Sequence, residues 1–531
     1  MRKIERTERR MSASKEKQIR QEQANAGTTD PKTAREERQR KEEKRSNTLY
    51  AIIGALFLIA LVITLVWRSN IIAKSATALT IDGEKYTASE VNFYYWNSYN
   101  NFLSQYSYLI SYLGLDTTVS PAGQAMNETA AGMLGAEAGT TWKDYFLDQA
   151  QQQMAAIQNT LKKAEAEGYT FTDSVQAQYE DTLESITTSA NASGASLGDY
   201  LKNAYGSLMT EKVFKAQLLR TAQYSDYLTS YRNGLTYTTD EITAAYEADP
   251  NSYDFVSYES VSVLGSAETT TDADGNPVEP TEEESAAALE AAKATADQIL
   301  ADYKDGQDLE TLASNADRAT YSSNEEAAYF TSDLGQWLFD SSRQEGDSTI
   351  VESGTTYYVA VFHQRFRKEE PTVSVRHILV GLASGEKAQG DEGYEEEQAQ
   401  LKADAKAKAE ELLAQWQSGD ATEAGFAALA MKETADGGSK YSGGLYPNVY
   451  KGQMVTEFND WCFDPARKSG DTGIVETTYG AHVMYFVGES LPYWQYDVSS
   501  DLQTADFNEW LDAMPAESTI TPSSFGMQFV G

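Results

Sequence analysis

Three histidines and one cysteine are all that this 531-residue chain offers for imidazole or thiol chemistry. His377 lies in "SVRHILVG" and His482 in "YGAHVMYF", each on an expected strand, and His363 is the third. If those two strands are neighbours in a small sheet, the imidazoles of His377 and His482 can hydrogen-bond. Zinc would need further His, Cys or carboxylate ligands at metal spacing, and no such cluster accompanies either histidine. Cys462 has no second cysteine to pair with, so an internal disulfide is excluded. "GASLG" (194–198) matches the G-x-S-x-G pattern of hydrolases, but that motif needs a strand before it, and here loop-like "TTSANAS" precedes. Ser196 and Asp199 instead read as a capping box that opens a helix. The acidic loop "TTDADGNPVEPTEEE" has Pro277 where a calcium loop needs glycine, which predicts a solvated turn.

The histidines stand in a repeated framework. "WLFDSSRQEGDSTIVE" starts at Trp337 and "WCFDPARKSGDTGIVE" at Trp461, a constant offset of 124 with nine of sixteen positions identical. Upstream, "AKATADQILADYKDG" from Ala292 parallels "AKAKAEELLAQWQSG" from Ala405 at an offset of 113. The second copy therefore carries 11 more residues between its helix and the Trp-x-Phe-Asp segment. Each copy orders strand, long helix, shorter helix, variable segment and two closing strands, an α+β unit. Subtracting 124 from His482 lands on Tyr358, and no histidine lies in the first copy's opening strand, "SYESVSVLG".

These units need a place to work, and charge and hydropathy indicate one. Net charge is −37. Residues 1–48 hold 15 Lys or Arg against 9 Asp or Glu, a net of +6 that leaves −43 for the rest. So acidic a body repels phosphate backbones, which argues against nucleic acid as a partner. "LYAIIGALFLIALVITLVW", Leu49 to Trp67, is 19 residues without a charge, long enough at 1.5 Å per residue to cross a bilayer core. Lys41, Lys44 and Arg45 precede it, so the positive-inside rule puts the N-terminus in the cytoplasm and the acidic body outside.

The expected organisation is a charged cytoplasmic tail (1–48), a transmembrane helix (49–67), a helical region (68–250), the first copy (251–370), the second copy (371–490) and a tail (491–531) that covers a sheet edge or packs on the helical region. "ALTIDGEKYTASEV" predicts a hairpin turning at Asp82-Gly83 and running into a helix. The aromatic run "VNFYYWNSYNNFLSQYSYLISYL" predicts a helix that buries its rings rather than a sugar-binding face. Residues 114–141 read as a long loop, and Thr239 leads a short helix ending near Pro250.

Taken in order, "RHILV", "ADGGSKYSGGLYPNVYKGQMVTEF" and "FDPARKSGDTGIVETTYGAHVMYF" resemble the parvulin family of peptidyl-prolyl cis-trans isomerases. The hairpin and helical segment before them are similar to the chaperone part of exported PrsA/SurA-type foldases. The resemblance spans roughly 78–490 and is strongest over 373–488. It implies an α+β protein with a single transmembrane helix, a helical chaperone domain and two tandem parvulin-like domains, the first degenerate. It places the family's paired histidines on His377 and His482, its central acidic position on Asp436 and its proline pocket on Leu445, Met454 and Phe458. Met454 and Phe458, four apart, would present one face of a helix. Where bacterial members show Gly-Gly-Asp-Leu-Gly, this chain has "SGGLY": Ser442 and Tyr446 replace glycines and Gly444 replaces the aspartate.

The implied function is isomerisation of X-Pro bonds in unfolded or newly exported polypeptides by a membrane-anchored extracytoplasmic foldase, with no cofactor and no metal. The alternative is a non-catalytic chaperone or surface-binding protein whose parvulin units serve only as scaffold.

Overall fold

The computed structural model describes residues 14–22, 31–137, 139–272, 274, 276–516 and 518–531; the other parts of the 1–48 tail lie outside them. Helix Pro31–Arg68 contains one stretch, Lys44–Val66, long and apolar enough to cross a membrane, and none of that stretch is buried. The chain packs as two compact units: 1–147 with 201–210 and 520–531, and 148–200 with 211–519.

In the first unit, strands Thr77–Ile81 and Glu84–Thr87 form the expected hairpin. Asp82 and Gly83 both take positive φ (48° and 86°), as a two-residue turn of this hand requires. Thr87 then caps helix Ala88–Gln105 in a capping box with Glu90. That helix buries Phe93, Tyr94 and Tyr95, and Phe102 packs on Trp142 and Phe146, so its aromatics are core. Strand Ile520–Pro522 adds to the free edge of Thr77–Ile81 and closes a three-stranded sheet. The stretch 114–141 is not all loop: Asn127 caps a helix, Glu128–Leu134, that Gly135 ends at φ 66°. Two turns of Ala- and Gly-rich sequence carry too little periodicity to announce themselves.

The second unit holds the helices Asp173–Ala192, Glu211–Gly234 and Thr239–Ala248, a pair of four-stranded sheets, and the helix Tyr493–Ala516. Thr238, not Thr239, caps the short helix, through a capping box with Glu241. Trp494 and Val498 bury against Ile242, and Trp510 stacks on Tyr231 at 4.0 Å, so the C-terminal helix packs on the helical part of its own unit.

Each sequence repeat forms one antiparallel four-stranded sheet with the same strand order. The first runs Ala319–Ala328, Phe255–Leu264, Thr356–Phe366, Ser348–Ser353. The second runs Leu445–Val449, Pro371–Gly381, Gly480–Pro492, Thr472–Thr477. Alternation along each strand supplies two apolar faces. One face of the second sheet, with Ile378, Ala481 and Val483, is covered by helices Tyr394–Ser418 and Glu423–Glu433 through Ala405, Ala409, Leu412 and Phe426. The other, with Val373, Val375, Met484 and Phe486, is covered by helix Thr456–Cys462 through Phe458 and Cys462. The first sheet is covered in the same way by Glu282–Lys304 and Leu309–Asn315 on one side and Asp333–Leu338 on the other. The conserved-looking segments of the repeat are thus the cover of the sheet and its closing hairpin.

The variable segment differs in what joins the shorter helix to the edge strand. In the first repeat only residues 316–318 intervene; in the second, 434–444 form a compact turn ending in a 3-10 helix, Lys440–Ser442.

Candidate functional site

His377 and His482 lie on the two central, neighbouring strands of the second sheet. Register pairs His377 with Met484 and His482 with Leu379, so both imidazoles project from one face, the face under Phe458. They meet with Nδ1 atoms 3.1 Å apart, and both are buried. His377 Nε2 lies 2.9 Å from Asp436 Oδ2 and His482 Nε2 lies 2.9 Å from Thr477 Oγ1. One arrangement of protons meets these contacts with both imidazoles uncharged. Thr477 donates its hydroxyl proton to His482 Nε2, His482 Nδ1–H donates to His377 Nδ1, and His377 Nε2–H donates to the carboxylate. Both imidazoles are then neutral, and the chain points one way, from a threonine to an aspartate.

The turn 434–444 builds the carboxylate's surroundings. Thr434 Oγ1 accepts from Leu379 N and Asp436 N, which pins the turn to the histidine-bearing strand. Asp436 Oδ2 accepts from Ser439 N (3.2 Å), the Ser439 hydroxyl and the Tyr446 hydroxyl (3.0 Å); Oδ1 accepts from Gly438 N. Hydrogen bonds from His377 first, then Ser439 and Tyr446, hold the Asp436 carboxyl well below the usual carboxylate range, against the opposing effect of burial. Burial first, then the neighbouring His377, pushes His482 down to about 4, with Asp436 opposing. The site therefore holds an ionised Asp436 and a neutral His482 at ordinary pH.

An apolar wall completes it. The Phe458 ring stands edge-on to both imidazoles, 5.5 Å from each. Tyr446 lies 5.1 Å from His377 across a tilted face, and burial, then its bond to Asp436, pushes its phenol up to about 12. Met454 packs half-buried on the same cluster. It is not on a helix: helix Thr456–Cys462 starts two residues later, so Met454 and Phe458 share a cluster but not a helix face. Leu445 is not part of this wall. It pairs with Arg376 and, one residue before Tyr446, falls on the opposite face of the sheet. A bulge between Tyr446 and Val449, with Asn448 at φ 52°, returns Val449 to the histidine face. Cys462 is buried beneath Phe458's cluster, and burial pushes its thiol up to about 12, so it supplies no thiolate nucleophile.

Ser439, Tyr446 and Thr477 complete the network, and sequence reasoning did not select them. Tyr446 stood out only as a replacement for glycine. Gly444 has a steric reason: at φ 73°, a Cβ there would overlap the carbonyl oxygen of His377. In the first repeat, register puts Ser260 opposite Ala360 and Tyr358 opposite Val351, the positions of His377 and His482. With the turn 434–444 also lacking, that repeat has neither the imidazole pair nor the carboxylate.

Residues 357–488 match the family model of the PPIC-type PPIase domain. The chain carries a parvulin-type peptidyl-prolyl isomerase domain. No curated protein matches the chain. Among solved structures, it is similar to a peptidylprolyl isomerase (PrsA) from Bacillus anthracis, at 22% identity and TM-score 0.17, over 28% of this chain and 59% of that one. It is also similar to PrsA from Bacillus subtilis, at 12% identity and TM-score 0.22, over 72% and 89%. A third likeness is to the structurally related SurA-like chaperones PEB4 and Cj1289 of Campylobacter jejuni, at 10% identity and TM-score 0.15, over 55% and 82%. The match thus spans less than two thirds of the Bacillus anthracis chain. The whole of the candidate site, from His377 to His482, falls within the matched residues.

Proposed function

We propose that the second repeat catalyses cis-trans isomerisation of X-Pro bonds in unfolded or newly exported polypeptides. In this reading the protein is a foldase: the Lys44–Val66 helix anchors it in the membrane with the N-terminus inside, the helical region holds clients, and the first repeat is a degenerate parvulin-like domain. The observation that carries the reading is the directed hydrogen-bond chain from Thr477 through His482 and His377 to Asp436, under Phe458, in the repeat that matches the family model.

The chemistry asks for little else. The barrier to rotation is ~18–20 kcal/mol because the C–N bond has double-bond character. No covalent step is needed. The planar amide is more dipolar than the twisted one, so an apolar wall favours the twisted state. Phe458 and Met454 would grip the proline ring. Asp436, fixed by five donors, would present a constant negative potential near the rotating carbonyl without reorganising. The histidines would hold that carboxylate and exclude water from the floor.

Tyr446 supports a second reading. Its hydroxyl occupies Asp436 Oδ2 where the family carries glycine, and its ring covers His377, as in a scaffold that binds chains without turning them over. A protease-coupled isomerisation assay on the full chain separates the two. Catalysis that is lost in a folded His377→Ala variant supports the enzyme; no rate above background in the unaltered protein supports the scaffold.

A further inference from the structure

The turn that carries Asp436 is held from two directions. From within its own sheet, Arg376 donates to Ser442 O and Gly443 O at 2.8 and 2.9 Å, and Ala435 N donates to Leu379 O. From outside the repeat, Asp181 takes hold of the same turn. Lys440 Nζ lies 2.6 Å from Asp181 Oδ2, and the Tyr441 hydroxyl donates to the same oxygen at 3.2 Å, between residues 260 apart in sequence. Asp181 belongs to helix Asp173–Ala192, in the same compact unit as the second repeat. The hold is one bond from the site: Lys440 N donates to Asp436 O at 3.0 Å, and Ser439, beside Lys440, donates to the Asp436 carboxylate.

We propose that Asp181 is a positioning residue for the isomerase site: through Lys440 and Tyr441 it sets the place of the Asp436–Ser439 turn, and so couples the helical region to catalysis. Among the described residues, the first repeat has no counterpart of this hold, because only 316–318 stand where the turn would be. Asp181 touches neither imidazole, so its effect passes entirely through the geometry of the turn. Lys440 is about one-fifth exposed and Asp181 about one-third, so water screens the pair only partly. The proposal rests on the isomerase reading, and its test is chosen to separate the two.

The test uses the full chain with Asp181→Asn, Asp181→Ala and the exchanged pair Asp181→Lys with Lys440→Asp. Two quantities are read: kcat and KM for an X-Pro substrate, and the imidazole C–H resonances of His377 and His482 through a pH titration, which only three histidines keep resolvable. We expect kcat to fall about fivefold in both single variants, as the loss of a partly screened ion pair implies, with KM little changed and circular dichroism unaltered. The His377 and His482 resonances should move while that of His363 does not. The exchanged pair should recover most of the loss. Unchanged resonances together with unchanged kcat overturn the proposal, as does a loss that reversing the pair fails to recover in a folded protein. If the unaltered protein has no isomerase activity, the activity reading fails, and the resonances alone decide whether Asp181 positions the turn.

Discussion

His377 and His482 face each other through like atoms, Nδ1 to Nδ1 at 3.1 Å, with their rings 20° from parallel. Such a contact holds only while one nitrogen carries a proton and the other does not. That asymmetry is also its weakness: protonating both imidazoles sets two N–H groups against each other.

Acid should therefore unravel the site from His482. Its folded value, about 4, lies below the ordinary 6.5, so between those values the unfolded chain binds more protons and stability rises with pH. The contribution is full above pH 6.5 and lost as pH falls toward 4. Its size is on the order of 3 kcal/mol. Asp436, also depressed, adds a second loss below the usual carboxylate range. Denaturant midpoints from pH 7.5 to 4 should fall for the unaltered protein, and fall less for His482→Tyr. Parallel curves would remove His482 as the cause.

Writing the first repeat's residues into the second should silence it without unfolding it. The double variant His377→Ser, His482→Tyr copies Ser260 and Tyr358, a pair that a sheet of the same order already accommodates. Isomerisation should drop at least tenfold while circular dichroism stays constant. Full activity in that folded variant would detach the imidazoles from catalysis.

Phe458 packs under the sheet and, in the proposed function, grips the proline ring. It is buried in a cluster with Val375, Val475 and Met484, so Phe458→Ala should cost about 3–5 kcal/mol and abolish turnover. Phe458→Leu keeps most of the volume. It should stay within about 1.5 kcal/mol of the unaltered protein in a urea titration, yet lose activity several-fold because an aliphatic side chain no longer packs edge-on to both rings.

Tyr446→Phe removes only the hydroxyl that donates to Asp436. If that bond draws on the carboxylate, the variant should gain roughly two- to fivefold in kcat/KM, consistent with one hydrogen bond to a charged group. A fall of similar size would instead make the phenol part of the site.

How much of this was legible in the residues depends on range. Amphipathic period, capping boxes and the Asp82-Gly83 turn are local, so the helices, the hairpin and the repeat could be read directly. So could the apolar stretch before Trp67 and the strands of His377 and His482. The spacing puts Met454 on the helix of Phe458, whereas it lies two residues before that helix begins, because element boundaries depend on packing that the chain's spacing does not report. The resemblance assigns Leu445 to the pocket, and register turns it to the opposite face of the sheet. One residue of register moves a side chain to the other face, and the bulge that sets register here comes from pairing with a strand some seventy residues away.

Sequence alone determined that two copies of one unit exist and that one of them holds the only paired histidines. Residue types also set the limits of the chemistry: imidazole, carboxylate and aromatic ring, with one cysteine. Tertiary structure decided the rest. It brought Nδ1 to Nδ1 across 105 residues of chain, gave the carboxylate its serine and tyrosine donors, and tied the turn between them to Asp181. Hydrogen bonds act over about 3 Å, and no local pattern specifies which distant donors a fold will bring within that reach.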